Sequence, residues 1–319
     1  MKEIKFTTGY KELPLLFSDK DFKTKYEDRV GGNPDYTQVI NGDEKHLALC
    51  PRCNNPVVIL GIYKKIKVAS HARHVKGIDI PNVVKFDEYK FEHCPYHRKK
   101  ADYVKEYVPE TEKPERQKLY QIAKEHFDKA IYLLQKETGL YINFSMAEKL
   151  AENYVVERAY NYIDATVYNI PWYLLYSLMG GFPLYHMLIK KNTTVYRHLR
   201  KLKFNLRDSS RDKGYVYVEE NGGYLLTATN YKYVIDKNDH LNEKLDFSIL
   251  RPDKKVPNTI LYTSIDKFSV NVDSYYFANL INYKNWKPRQ KMLDIAAKYM
   301  KPDQTVEVQD NSDWMDGFF

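Results

Sequence analysis

The sequence predicts an α+β fold, and three observations carry that expectation. Apolar residues recur at three- and four-residue spacing through the middle of the chain, they alternate after Lys213, and a cluster of cysteine and histidine precedes both regions. At 319 residues the chain exceeds the common size of one domain, and its 43% apolar content with 29 Tyr provides enough surface to bury against the entropy of ordering. The expected order is a zinc-binding domain over 1–104, a linker over 105–115, a helical region over 116–203, a β-rich region with a terminal helix over 204–301, and an acidic tail over 302–319.

Residues 1–30 hold Leu13, Leu15, Leu16 and Phe17, broken by Pro14, and no period is readable there. Residues 31–45 are turn-rich, and the cysteine and histidine region runs from His46 to about Lys100. Pro109 and Pro114 among charged residues suit an exposed linker. Leu119, Ile122, Ala123, Phe127, Ala130, Ile131 and Leu134 then predict one helix that stops at Gly139. Ser145-Met146-Ala147-Glu148 has capping-box form and predicts a second helix reaching about Tyr162. Pro171 opens a third, ended by Gly180-Gly181, and Thr193 or Thr194 caps a fourth running to about Lys203.

Beyond Lys213, YVYVEE and YLLTAT flank Asn221-Gly222-Gly223, which predicts a tight hairpin. Further strands are expected around 231–236, 244–250 and 259–272. Pro288 opens a last helix with Met292, Leu293, Ile295, Ala296 and Met300 inward.

All three cysteines and five of the nine histidines lie within residues 46–97. They include three pairs with a two-residue gap, Cys50/Cys53, His71/His74 and Cys94/His97, the spacing that lets one turn present two ligands to zinc. Two tetrahedral sets are open: Cys50, Cys53, His71 and His74, or a zinc ribbon of Cys50, Cys53, Cys94 and His97, with the ribbon preferred. An odd cysteine number argues against a disulfide framework and fits reducing surroundings. No run approaches the roughly 18 apolar residues of a membrane span, and the N-terminus has no signal-peptide core. A cytoplasmic location is the expectation, with no membrane partner.

CPRCNNPVVILG followed by HARH resembles the N-terminal zinc-binding region of the competence protein CoiA family, over about 50 residues. That family's nuclease domain depends on an acidic metal-binding motif, to which this chain offers no match. The stretch also resembles HNH nucleases, with His74, Asn82 and Cys94 matching in order. That resemblance implies His71 or His74 as a general base.

The net charge of +8 is the balance of +13 over residues 1–301 and −5 over the tail, where Asp303, Glu307, Asp310, Asp313 and Asp316 meet no Lys or Arg. A basic body attracts polyanions. The densest basic stretch spans 190–213, and a helix at 194–203 places Arg197, Arg200 and Lys201 on one face, with Lys203 beyond it. With the Asn221 hairpin, helix, turn, helix and two strands resemble a winged helix whose second helix meets nucleic acid. The tail ends Trp314-Met315-Asp316-Gly317-Phe318-Phe319 and resembles the acidic tips of single-stranded-DNA-binding proteins, which dock on protein partners. Three functions are open: a zinc-containing nucleic-acid-binding protein without catalysis, a metal-dependent nuclease, or a protein-interaction factor of a mobile element with structural zinc.

Overall fold

The structure, a computed structural model, describes residues 1–301 apart from 10, 65, 68, 99, 104, 109–112, 179, 237–239 and 254–259. The acidic tail therefore lies outside the described residues, as does the middle of the expected linker. Helices and antiparallel sheets mix throughout, and the buried apolar residues form two cores.

The first core is built by residues from Met1 to Cys94. A short ladder pairs β1 (Glu3–Ile4) with β2 (Leu15–Leu16), and α1 (Phe22–Val30) ends on Gly31 at φ 54, a conformation that favours glycine. β3 (Thr37–Ile40), β4 (Asp43–Leu49), β5 (Pro56–Leu60) and β6 (His71–His74) form a four-stranded antiparallel sheet in chain order. Alternation fails where β4 ends: Leu47, Ala48 and Leu49 are all buried, because Lys5 pairs with Leu49 across the strand's edge. That pattern hid the strand from sequence reading. Two short helices follow, α2 (Glu88–Glu92) and α3 (Pro95–Arg98).

β7 (Lys100–Tyr103) leaves this lobe and becomes a strand of the second one's sheet. The linker continues the attachment, with the Val108 N–H donating to Asn161 O at 2.9 Å and Ile163 N–H to Glu106 O at 2.8 Å.

The second core is continuous from Tyr120 to Met300, so helices and strands share one interior around the fully buried Trp172. Its helices are α4 (Lys113–Glu125), α5 (Phe127–Thr138), α6 (Phe144–Val156) and α7 (Ile170–Tyr176). The apolar stripe predicted as one helix breaks at His126 and resumes at once, and Gly139 ends it in the left-handed region at φ 78. The cap of α6 is Asn143, whose side chain accepts from Met146 N–H, in place of the expected Ser145. That helix also stops at Val156, short of Tyr162.

Two short strands, β8 (Phe182–Pro183) and β9 (Leu188–Lys190), precede α8 (Thr194–Lys201), which Thr193 caps. Then come β10 (Leu206–Asp208), β11 (Tyr215–Val218), β12 (Leu225–Ile235), β13 (Leu241–Asp253) and β14 (Leu261–Val272). The hairpin expected at Asn221-Gly222-Gly223 does not form: β11 pairs with β10 and β9, whereas β12 pairs with β13, β7 and β8. Length decides the pairing. The eleven-residue β12 gains a long ladder only against the thirteen-residue β13, and the four-residue β11 matches its short neighbours. The expected winged-helix order of two strands around Asn221 is thereby replaced by a three-stranded sheet, β10-β11-β9, with α8 in the connection from β9 to β10. α9 (Ser274–Asn282) and α10 (Gln290–Tyr299) are the last elements among the described residues, with Met292, Ile295, Ala296 and Met300 buried as expected and Leu293 half-buried.

Candidate metal centre

Cys50 follows the last residue of β4, and Cys53 precedes β5, so the turn between two hydrogen-bonded strands carries both. The turn is fixed by Cys50 N–H donating to Asn55 O at 2.8 Å and Asn54 N–H to Cys50 O at 3.0 Å, with Asn54 at φ 61. His74 ends β6, opposite Val57 on β5. Cys94 sits between α2 and α3, where its carbonyl accepts from the N–H groups of His97 and Arg98, both at 2.9 Å. Asn55, 1% exposed, ties these parts together: its side chain donates to Asp87 O at 3.0 Å and accepts from Asp87 N–H at 2.7 Å, and Asp87 caps α2.

The donor atoms of Cys50, Cys53, His74 and Cys94 all lie within 4.8 Å of one another and could hold a metal ion. Cys50 Sγ is 3.7 Å from Cys94 Sγ, and Cys53 Sγ is 3.2 Å from His74 Nε2. The three thiols are buried and the imidazole is half-buried. Burial pushes the Cys53 and Cys94 thiols well up, and hydrogen bonding with Cys50 adds to it. For Cys50 burial acts in the same sense, but the thiol donors of Cys53 and Cys94 and the nearby His74 outweigh it and bring the group well below the usual thiol range. Packed this closely and buried, the three thiols oppose one another's ionisation. A divalent cation removes that conflict by deprotonating every thiol it binds, so the donor set fits a metal ion.

Neither tetrahedral set read from the spacing is the one assembled here; each contributes part. His71 and His74 lie three apart on a strand, so they point to opposite faces and cannot chelate one ion. His71 Nδ1 is 3.0 Å from the Ala69 carbonyl. His97 is on α3, its Nε2 3.6 Å from Glu92 and its ring 4.0 Å from Phe91, which also lies 5.5 Å from the His74 ring. Asn82 occupies a turn at φ 56 and donates to Asp35 at 3.2 Å.

Sequence reading missed the contacts that Arg52 and Tyr96 make beside the cysteines. Arg52, between the paired cysteines, donates to Glu243 of β13 at 2.7 Å, and its guanidinium lies 5.0 Å from both the Tyr168 and Tyr275 rings. Tyr231 OH donates to the other Glu243 oxygen at 2.7 Å. Tyr96, inside Cys94-Pro95-Tyr96-His97, donates to Glu3, as does Tyr275 of α9. Burial raises the Glu3 pKa against the pull of Arg52 and the two phenols. The signal was present in the cysteine turn itself, since an arginine there must either face water or find a buried acid.

The basic residues read from 190–213 sit elsewhere. Arg197, Arg200, Lys201 and Lys203 are all exposed, while Val195 and Leu199 are buried behind α8 and Leu202 packs against the core. Arg197 donates to Thr194 at 3.1 Å, and Lys201 lies 3.6 Å from Asp266, which also meets His198 at 2.6 Å.

Comparisons of the chain with protein-family models, with curated proteins and with solved structures found no match. No helix among the described residues is long and apolar enough to cross a membrane.

Proposed function

We propose that this is a nucleic-acid-binding protein with a structural zinc ion and no chemistry of its own. The reading is carried by the exposed arc of α8, where Arg197, Arg200 and Lys201 face solvent on a helix whose opposite side is locked into the core. A helix held by its buried side can present a basic face to phosphates without ordering its backbone. The turn from β10 to β11 adds exposed Arg211 and Lys213 on the same small sheet.

Zinc is the ion this donor set suits: three thiolates and one imidazole complete a tetrahedron. With four protein ligands no coordination position is left for water or substrate, which is the mark of a structural site. His74 then serves as a ligand and is not free to act as a base, and this weighs against the nuclease alternative. The test is a gel shift with duplex and single-stranded DNA at two salt concentrations, run beside metal analysis. Tight, salt-sensitive binding by the chain, lost on replacing Arg197, Arg200 and Lys201 by Ala, supports the reading; cleavage of DNA with added Mg²⁺ or Mn²⁺ would overturn it.

A further inference from the structure

The connection from α9 to α10, residues 283–289, is clamped onto α5. The buried Asp128 carboxylate accepts from Trp286 Nε1–H at 2.7 Å and from Arg289 N–H at 3.0 Å, and Arg289 Nη1 donates to Gln135 Oε1 at 2.9 Å. Just before it, the Ile281 carbonyl accepts from Lys129 Nζ at 3.0 Å. Asp128, Tyr132 and Gln135 recur at three- and four-residue spacing, so one stripe of α5 meets the connection along its length. Held in this way, it presents its outer side chains from a fixed backbone.

Those side chains are aromatic and cationic. Tyr132 packs edge-on against Trp286, ring centroids 5.1 Å apart, and is still 36% exposed, while Tyr283 is 55% exposed. Lys136 Nζ lies 3.6 Å from the centre of the Tyr276 ring, and Lys291 Nζ lies 5.3 Å from that of the exposed Phe144. Between Asp273 and Asp294 the chain holds no carboxylate and four cations, Lys284, Lys287, Arg289 and Lys291. The three lysines are exposed, and none of the four cations has a carboxylate partner among the described residues; the Arg289 side chain bonds the neutral Gln135 amide. Of the carboxylates on α5, Asp128 is buried beneath the connection and Glu137 lies 3.6 Å from Lys136.

We propose that this surface binds single-stranded nucleic acid, with bases stacking on Tyr132 and Tyr283 and phosphates meeting Lys284, Lys287 and Lys291. Exposed aromatic rings suit unpaired bases, whose faces a duplex keeps stacked away, and lysines set along the same surface track the backbone. The class of ligand rests on the nucleic-acid reading above, but no residue is shared with α8, so either surface can fail without the other.

The experiment titrates fluorescently labelled oligothymidylate and oligouridylate, about ten nucleotides long, with the full zinc-loaded chain carrying Trp314→Phe. That substitution leaves the half-buried Trp286 and the fully buried Trp172 as its indoles. Anisotropy should show saturable binding, tighter than to a duplex of the same length, and unlabelled strand should quench Trp286. The tighter of the two strands assigns the surface to DNA or to RNA. Tyr132→Ala with Tyr283→Ala, both at exposed positions, should weaken binding about tenfold or more. Lys284→Ala with Lys287→Ala should flatten the salt dependence by about 0.7 in log–log slope for each lysine. Replacing Arg197, Arg200 and Lys201 by Ala should leave the quenching in place. Absence of single-strand binding, or an affinity unchanged in the tyrosine pair, would overturn the proposal, whatever α8 does with duplex.

Discussion

Arg52 Nη2 donates to Glu243 Oε2 at 2.7 Å, and both side chains are only 2% exposed. The residue between the two cysteines of the candidate metal centre is therefore an ionic plug that joins the lobes. Glu243→Gln or Arg52→Met should each destabilise the protein by about 3–5 kcal/mol, because either leaves one buried charge uncompensated. The pair Arg52→Met with Glu243→Leu should recover much of that loss. Urea unfolding of the four proteins gives the comparison, and metal content should stay the same in all of them.

Metal analysis should find one zinc ion per chain. His74→Ala should lose it, and His71→Ala and His97→Ala should both retain it, since only His74 joins the three thiols. Retention by His74→Ala together with loss in His97→Ala would restore the ribbon ligand set.

Chelation, or Cys50→Ser, should unfold the first lobe, because the apparent binding free energy of a structural zinc, about 10–16 kcal/mol, is folding free energy. Limited proteolysis should then cut within residues 1–98 while the second core survives. The same dependence gives the lobe an acid limit, since ligands must be deprotonated and affinity falls as pH falls.

At the alkaline end the tyrosines set the limit. Burial raises the pKa of Tyr154, Tyr162, Tyr168, Tyr173 and Tyr275, and burial with the Glu27 hydrogen bond takes Tyr63 to about 12. An unfolded tyrosine ionises near about 10. Above that pH the unfolded state releases protons the folded state keeps, so stability is full below about 10 and falls as pH rises. Tyrosinate absorbance should appear late and steeply, together with loss of tertiary signal.

Deleting 303–319 should tighten nucleic-acid binding, most at low salt, because the −5 tail is tethered to a +13 body and competes for its basic surface. A truncated chain that binds equally well would remove this role from the tail.

The sequence located the metal region, the α8 face and the last helix, because each is a local pattern of ligand spacing or helical period. Its ligand sets differ from the cluster that the structure brings together, for physical reasons. HARH contains no β-branched residue to mark it as a strand, so the opposite facing of His71 and His74 was not visible. Cys94 and His97 share the spacing of a knuckle, but a helix start turns the histidine onto Phe91. The hairpin at Asn221 was a local signal overruled by the length of β13, which only the whole sheet reveals. The Arg52 to Glu243 joint links distant positions, and the one local sign of it is the arginine set inside the cysteine turn, which names no partner.

Those two residues are 191 positions apart. At translation rates of about 5–20 residues per second, the cysteine turn leaves the ribosome roughly ten to forty seconds before its glutamate is made. During that interval the first lobe must hold its shape with Arg52 still facing water, on its own sheet, its own core and the candidate metal centre. With the zinc proposed above in this site, a shortage of zinc would act at synthesis, on nascent chains whose N-terminal lobe is exposed to proteases, before any mature protein had metal to lose.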